Sequence, residues 1–492
     1  MGRFDFCKGF YKSTSPLASN QLCVNFYPEQ DESGAGKSQW QLYKTPGLGI
    51  FAQDGNAKSI RGSKEFNGRA FFIADGRLWE VFADKSKVSR GTIATDTNPA
   101  SIAAGIGFLA IASAGNGYAF NLATNVLSQI DTTTGAALQG SVSQMEYSDG
   151  FFIALLSSTN KWQTSALLDP TTWNPLNIAE VSVFGENIVA LIVEHREVAI
   201  FGNKRSVAYF DSGNVFPFDV VPGGYLEQGC AAQFSVTRLD NAIFWLGQDE
   251  RGAAVAWRLQ GYNPLRISNH AIEQTWQQYK RIDDAIAYAF QFNGHLFWQI
   301  NFPTAGHSWR YDVATQMWHE VQSTLNQVPG MHFSQNHMFA FGKHLVGDWN
   351  SGTLYEMSSA FYDDAGNPMI CVRQAPVIAL EQERIAHNRF VLDAETGLGP
   401  QPPLKDGNGN PRGPQAMLKI SDDGGQSFHD SEYIIDLRQA GNREPAQPIY
   451  RLGVARNRVY KLTFSDPTAL HIIDAYFNQP QDRLANRFRQ MA

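Results

Sequence analysis

Three adjacent residues in "DESGAGKSQW", Gly36, Lys37 and Ser38, have the types that close a phosphate-binding loop, where backbone N–H groups and a lysine hold a nucleotide's phosphates. Such a loop also needs a glycine five positions before Gly36, a strand ahead of it and a helix behind it, so that the helix N-terminus faces the phosphates. Asp31 stands where that glycine belongs, and the strand-like "WQLYKTPGLG" follows. A carboxylate in the cradle repels phosphate. The stretch is expected to be a polar hairpin loop joining "LCVNFYPE" to "WQLYKT", with no nucleotide bound.

Other candidates fail on similar grounds. "GIGFLA" sets Gly105, Gly107 and Ala110 in a dinucleotide-binding pattern, but no helical periodicity follows and the segment reads as a hairpin turn. "DGNGN" from Asp406 begins like a calcium loop, yet Pro411 holds the invariant-glycine position and Met417 that of the bidentate glutamate. His332, His337 and His344 are close in sequence, but strand alternation is expected to keep them from converging as metal ligands. Neither H-E-x-x-H nor G-x-S-x-G occurs. Cys7, Cys23, Cys230 and Cys371 form no C-x-x-C pair, so buried reduced thiols are expected in place of zinc or a disulfide framework.

One motif is specific. "SDDGGQSF" fits S-x-D-x-G-x-S/T-W/F, an Asp box, through Ser421, Asp423, Gly425 and Phe428. The aspartate caps the turn, the glycine takes a dihedral other residues resist, and the aromatic packs beneath. Asp boxes occur in sialidases and similar propellers, which raises the alternative of a carbohydrate-active or glycan-binding propeller. A glycosidase also needs a carboxylate pair or a tyrosine nucleophile with partners, and nothing in the sequence singles these out. The motif is expected to be a structural turn; no catalytic, cofactor-binding or metal residue is assigned.

The elements that would carry these residues are strands. Seven segments share one pattern of tight turn, alternating apolar strand, second turn and aromatic-rich strand. They start at Phe66, Ala104, Tyr147, Glu194, Arg238, Phe292 and, in a weaker copy, Ser334. They recur at roughly 40–50 residues, the period of β-propeller blades. Alternation puts Phe, Trp and Ile on the faces between blades, and pairs such as Asn67–Gly68 and Asn293–Gly294 supply the positive φ of two-residue hairpins. The competing reading is an array of β-sandwiches. The expected fold is all-β: a six- or seven-bladed propeller followed by a β-sandwich-like C-terminal domain. The expected domains are 1–58, strands and loops that supply the strand closing the propeller; 59–374, the propeller; 375–478, the C-terminal domain; and 479–492, a basic tail with Arg483, Arg487 and Arg489. In "VYKLTF", Tyr460, Leu462 and Phe464 alternate with Val459, Lys461 and Thr463 as in a half-buried strand.

Composition limits the function. Of 492 residues 18% are charged and 12% aromatic, which suits a compact, well-buried chain. The formal net charge of −7 argues against whole-molecule attraction to nucleic acid or anionic membrane. "MGRFDFCKGF" has no apolar signal-peptide core, and the longest apolar run, "IVALIVEH", is of strand length, so a soluble chain without its own export signal is expected.

"NKRSVAYFDSGNVFPFDVVPGGYLEQGCAA", "NAIFWLGQDERGAAVAWRLQGYNPLRISNHAIE" and "RLGVARNRVYKLTFSD" resemble the packaged-DNA stabilisation, or tail-hub (nozzle), proteins of short-tailed bacteriophages. "NFYPE" with "LYKTPGL" is similar to that family's opening, and "LEQGCAA" and "RISNHAIE" are the most specific segments. The resemblance implies a non-enzymatic virion tail protein, assembled in the host cytoplasm. It implies a homo-oligomeric ring, a hexamer, below the portal and head-to-tail adaptor. Such a ring retains packaged DNA, lines the ejection conduit and docks tailspikes or fibres and a needle or plug. It implies no cofactor and no small-molecule substrate, and contact with passing double-stranded DNA without sequence specificity. A mildly acidic wall lets DNA pass, since each Lys or Arg contact to phosphate adds salt-dependent affinity. A lone propeller has a narrow axial hole, so the DNA path is expected through the centre of the ring of subunits.

Overall fold

The computed structural model describes residues 4–478 except 56–57, 134–136, 182–184 and 249–250. It divides into two compact units that are each discontinuous in sequence: 48–314 with 331–358, and 1–47 with 315–330 and 359–492. The expected linear domains cut across these seams. Segments 315–330 and 359–374, assigned above to the propeller, and 1–47, assigned to its closure, lie in the unit that holds the C-terminal strands. The reason is pairing at long range: Leu22, Cys23 and Val24 lie opposite Gln374, Arg373 and Val372 in an antiparallel ladder. The basic tail expected at 479–492 lies outside the described residues.

The first unit is a seven-bladed propeller. Blades one to five are four-stranded meanders that begin at Ile60–Phe66, Ser101–Gly105, Val142–Ser148, Ile188–Glu194 and Thr237–Leu239. Blade six contributes Ile286–Phe292, His295–Phe302 and His307–Asp312, and blade seven Ser334–Ala340, Lys343–Asp348 and Thr353–Ser358. Gly47–Gln53, which precedes blade one in the chain, completes blade seven as its outermost strand. At the inner edge, Ser334–Ala340 of blade seven meets Ile60–Phe66 of blade one. The Asn336 and Gln335 amides both donate to the Ile60 carbonyl at 2.7 Å. The closing strand expected from residues before Ile60 is therefore present.

Period-two alternation builds the cores. In Arg69–Ala74, Ala70, Phe72 and Ala74 enter the core shared with blade seven, while Phe71 and Ile73 enter the core shared with blade two. In Phe151–Leu156, Phe152, Ala154 and Leu156 face blade two, and Ile153 and Leu155 face blade four. Tight turns set the register. Asn67–Gly68 have φ of 54° and 76°, and Asn293–Gly294 have 50° and 86°, as a type I′ hairpin requires. The "GIGFLA" segment is also a hairpin, in which Ile106 sits at φ 42° although its β-branched side chain is half exposed and resists that region. Ile106→Asn is expected to raise stability by about 0.5–1 kcal/mol, read as a higher melting midpoint.

The second unit stacks two mainly antiparallel sheets. One runs Asn20–Val24, Cys371–Gln374, Val459–Phe464, Gln415–Ser421, Tyr433–Asp436; the other runs Phe26–Gln30, Trp40–Lys44, His471–Phe477, Arg389–Ala394, Ile449–Tyr450. Rings cross between them, with Phe390 and Tyr460 centroids 4.7 Å apart. Tyr460, Leu462 and Phe464 are fully buried while Lys461 and Thr463 are half-buried, as the alternation implies, but Val459 on the opposite face is fully buried as well. All four cysteines are buried and unbridged, and burial pushes Cys230 and Cys371 up to about 12.

Candidate functional site

The Asp box lies in the second unit, where Ser421 ends its strand. Asp423 Oδ1 accepts from Ser421 Oγ at 2.6 Å and from the Gln426 and Ser427 amides at 2.9 and 3.0 Å; Oδ2 accepts from Ser427 Oγ at 2.5 Å. Gly424 and Gly425 take φ of 77° and 88°, and the Gly425 amide donates to Ser421 Oγ at 2.9 Å. Phe428 is half-buried under the Lys461 ammonium, 5.2 Å from its ring centre. Burial works to raise the Asp423 carboxyl, but its hydrogen bonds from Ser421, Ser427 and Gln426 outweigh that and hold it at about 2. Both oxygens are occupied within one loop, so the geometry is that of a turn cap. Asp423→Ala is expected to cost about 1–2 kcal/mol, fully at neutral pH. Because the folded carboxyl lies below its unfolded value, this increment is present above about pH 4 and fades toward pH 2. Melts of wild type and variant at pH 7 and pH 3 check both parts.

The "GAGKS" loop is closed by its own carboxylate. Asp31 accepts from the Ser33 amide and hydroxyl and from the Gly36 amide, so the backbone N–H at Gly36 is taken by an aspartate. The Lys37 ammonium pairs with Asp393 at 2.5 Å. Asp406 likewise turns inward, accepting from the Asn408 and Asn410 amides to close the hairpin between Leu404–Lys405 and Pro411–Arg412.

The histidines require a correction. His332 stays apart, its Nδ1 against Ser334 Oγ at 2.5 Å, but His337 Nε2 and His344 Nδ1 meet at 3.0 Å. Their strands pair His337 with Val346 and Phe339 with His344, so the two are diagonal neighbours on one face. Simple alternation overlooked the diagonal. Among the described residues, no group of three or more His, Cys, Asp or Glu side chains could hold a metal ion.

The two most specific sequence segments also have structural roles. In "LEQGCAA", a Cβ on Gly229 would lie 2.3–2.4 Å from the backbone of Asn203 and Lys204, and the Gly229 carbonyl accepts from the indole of buried Trp245 at 3.0 Å. Gly229→Ala is expected to cost about 1–3 kcal/mol, measured by denaturant midpoint, because backbone must move to admit the methyl. In "RISNHAIE", the Asn269 side chain caps the helix His270–Trp276 by accepting from the Ile272 amide at 3.0 Å. Buried Glu273 of that helix accepts from Arg266 Nε at 2.6 Å and from Ser268 Oγ at 2.5 Å.

A cavity of about 530 Å³ lies within the propeller unit, lined by Asp96, Ser143, Gln233, Arg281, Asp284 and Thr304 among others. None of these was singled out from sequence: most sit in the connections and turns at the ends of the blade strands, where the repeat pattern does not specify residue type.

Fold and site together define a class: a closed β-propeller with an appended β-sheet unit, whose sequence-specific motifs serve turns, caps and close packing. The chain belongs to the phage stabilisation family, whose model, described as "Bacteriophage P22 Gp10, beta-propeller", matches residues 3–362. It is a phage structural protein of a virion-component family. No curated protein matches the chain. Among solved structures it is similar to the extracellular domain of BT4673 from B. thetaiotaomicron, with 11% identity, a TM-score of 0.40, and coverage of 80% of this chain. It spans about half of that structure, 48%. The WD40 β-propeller domain of Doa1 is 12% identical with a TM-score of 0.39, over 63% of this chain and 96% of Doa1's domain. BamB from Moraxella catarrhalis is 11% identical with a TM-score of 0.38, over 69% of this chain and 97% of BamB. Among the described residues, no helix is long and apolar enough to cross a membrane.

Proposed function

We propose that this chain is the tail hub of a short-tailed phage: a ring of subunits, six in number, seated below the portal and adaptor. It retains the packaged genome, surrounds the ejection path and offers docking surface to tailspikes or fibres and a needle or plug. The observation that carries this reading is the family match over residues 3–362, which spans the whole propeller. The charge balance supports it, since a formal net charge of −7 gives passing DNA little to bind. A ring also gives a rigid all-β chain a function that needs no reacting group: to plug, line and dock. The alternative of a carbohydrate-active or glycan-binding propeller rests on the Asp box alone, whose carboxylate is already occupied within its own turn.

Imaging of assembled particles tests the proposal. Density for six copies around the DNA axis beneath the adaptor is the expected result, together with particles that lose DNA when the gene is deleted. Absence of the chain from the tail, or single copies away from the axis, overturns it. An isolated monomer in solution is compatible, because the adaptor supplies the template for the ring.

A further inference from the structure

The hairpin that joins the first two strands of blade four, Ile188–Glu194 and Glu197–Gly202, sets Glu194 directly opposite Glu197. Like charges in that position repel across the ladder. The nearby arginines are committed elsewhere: Arg196 Nε lies 2.6 Å from Asp149, and on blade five Arg258 lies 2.7 Å from Asp240. Glu194 meets the His195 imidazole at 3.1 Å, and Glu197 accepts from the Tyr262 hydroxyl at 2.7 Å on either oxygen. Burial, reinforced by Glu197, pushes the Tyr262 phenol up to about 12, so it stays a donor. Among the described residues, neither glutamate has a lysine or arginine within ion-pair distance.

Both glutamates line a cavity of about 150 Å³ between blades four and five. Its floor is aliphatic and deeper than the carboxylates. Ala199 pairs with Ala208 across blade four, and Ile243 with Leu259 across blade five; Ala199, Ile243 and Leu259 belong to the core shared by the two blades. The polar rim is open to solvent. The Glu194 side chain is 20% exposed, Glu197 is half-buried, and Tyr262 is 41% exposed. The volume lies below the roughly 300–1,000 Å³ of whole-molecule sites and close to that of an apolar cavity that admits benzene. One side-chain-sized group fits.

The order of the lining selects the ligand. An anion is repelled by two carboxylates, and a neutral apolar group leaves their mutual repulsion in place. A lysine or arginine side chain entering from solvent carries its charge first, past the carboxylates and onto an aliphatic floor that cannot solvate it. An apolar group with an ammonium directly behind it has the matching order: the apolar part covers the floor, and three N–H donors meet Glu194 and Glu197 at the rim. The exposed Tyr262 ring adds a face on which a cation is stabilised.

We propose that this cavity binds an apolar primary ammonium, the apolar group seated on Ala199, Ala208, Ile243 and Leu259 and the ammonium held between Glu194 and Glu197. Such a group is presented by a polypeptide N-terminus with an apolar first residue, or by a small alkylamine. The inference stands independently of the tail-hub reading.

Calorimetric titration of the full-length protein with leucinamide, at low ionic strength, tests it. Saturable binding is expected, with N-acetyl-leucinamide, which lacks the charge, and glycinamide, which lacks the apolar group, each bound at least roughly ten-fold more weakly. Glu194→Gln and Glu197→Gln should each weaken leucinamide roughly three- to ten-fold. Glu194→Gln should nevertheless melt no lower than wild type, because it removes one of two opposed charges. Ala208→Leu, which fills the floor, should abolish binding, and Val126→Ser, on an exposed strand of blade two, should leave it unchanged. Melting curves establish that each variant is folded. The amide of Leu-Gly-Gly binding as tightly as leucinamide supports a polypeptide N-terminus as the ligand; isopentylamine binding while the tripeptide does not supports a small amine. No saturable binding of leucinamide or isopentylamine, equal binding of N-acetyl-leucinamide or glycinamide, or binding that survives both glutamate variants overturns the proposal.

Discussion

Phe51→Ala is expected to lower the stability of the propeller by about 3–5 kcal/mol and its melting temperature by about 6–15 °C. Phe51 lies in the closing strand Gly47–Gln53, is 3% exposed, and belongs to a core with Ala70, Phe72, Leu345 and Leu354 drawn from blades one and seven. Its ring is 6.3 Å from that of Phe341, and the Lys85 ammonium covers it at 5.8 Å. Truncation therefore leaves a cavity at the seam where the ring of blades is joined, between the closing strand and the inner-edge contact of Ser334–Ala340 with Ile60–Phe66. Ile50, its neighbour in the strand, is half exposed, and Ile50→Ala should change stability by no more than about 0.5 kcal/mol. Hydrogen exchange adds a local reading: in the Phe51 variant the amides of Phe51, Ala52 and Gln53 should lose protection before those of blade three. Equal effects of the two substitutions would mean that the closing strand does not carry the seam.

That seam was partly legible in the sequence. The turn pairs and the alternation of Phe71, Phe72 and Ile73 identified strands and blade faces, because both signals are local. A closing strand was expected among the residues before Ile60, though no local signal marked Gly47–Gln53 as that strand. What local signals could not convey was how residues 1–47 divide between the two units. The Arg373 side chain is fully buried and donates to the carbonyls of Phe6, Gly9 and Leu22, and to the Gln21 side chain. A guanidinium satisfied by carbonyls from the far end of the chain has no sequence signature, since its partners are backbone atoms of any residue type. The cavity of the propeller unit was hidden for a related reason: residues 112–115 of blade two and 303–304 of blade six come to line one space only when non-adjacent blades close on one axis.

Acidification from pH 7 to pH 5 is expected to destabilise the propeller through buried histidines, by about 2 kcal/mol for each one held far below its ordinary value. Burial, reinforced by the charge of Arg310, holds His332 at about 3, and burial, reinforced by His344, holds His337 at about 3. Burial also lowers His344. The folded values lie below the unfolded one, so the unfolded chain takes up protons first. The stabilisation is whole above about pH 6.5 and is lost as pH falls from there toward 3. Geometry enforces this at the His337–His344 pair. Tyr288 stacks on His337 at 6.1 Å, and the Phe290, Phe292 and Phe339 rings lie 6.2, 6.0 and 5.0 Å from His344, so two imidazolium charges 3.0 Å apart would find no compensating anion among these neighbours. The carboxyls of Glu146 and Asp348 are raised by burial and act with the opposite sign, since they favour the folded state in acid. Their contribution grows as pH falls from the raised folded value toward the ordinary carboxylate range, so it opposes the loss from the histidines and makes the net acid effect smaller. His337→Phe places a ring among rings and removes one titrating group. Its melting temperature should therefore fall less steeply than that of wild type between pH 7 and pH 5, whereas Glu146→Gln, which removes a group of opposite sign, should not make the slope shallower. Parallel slopes for His337→Phe and wild type would show that the imidazole pair is not the acid-sensitive element of the fold.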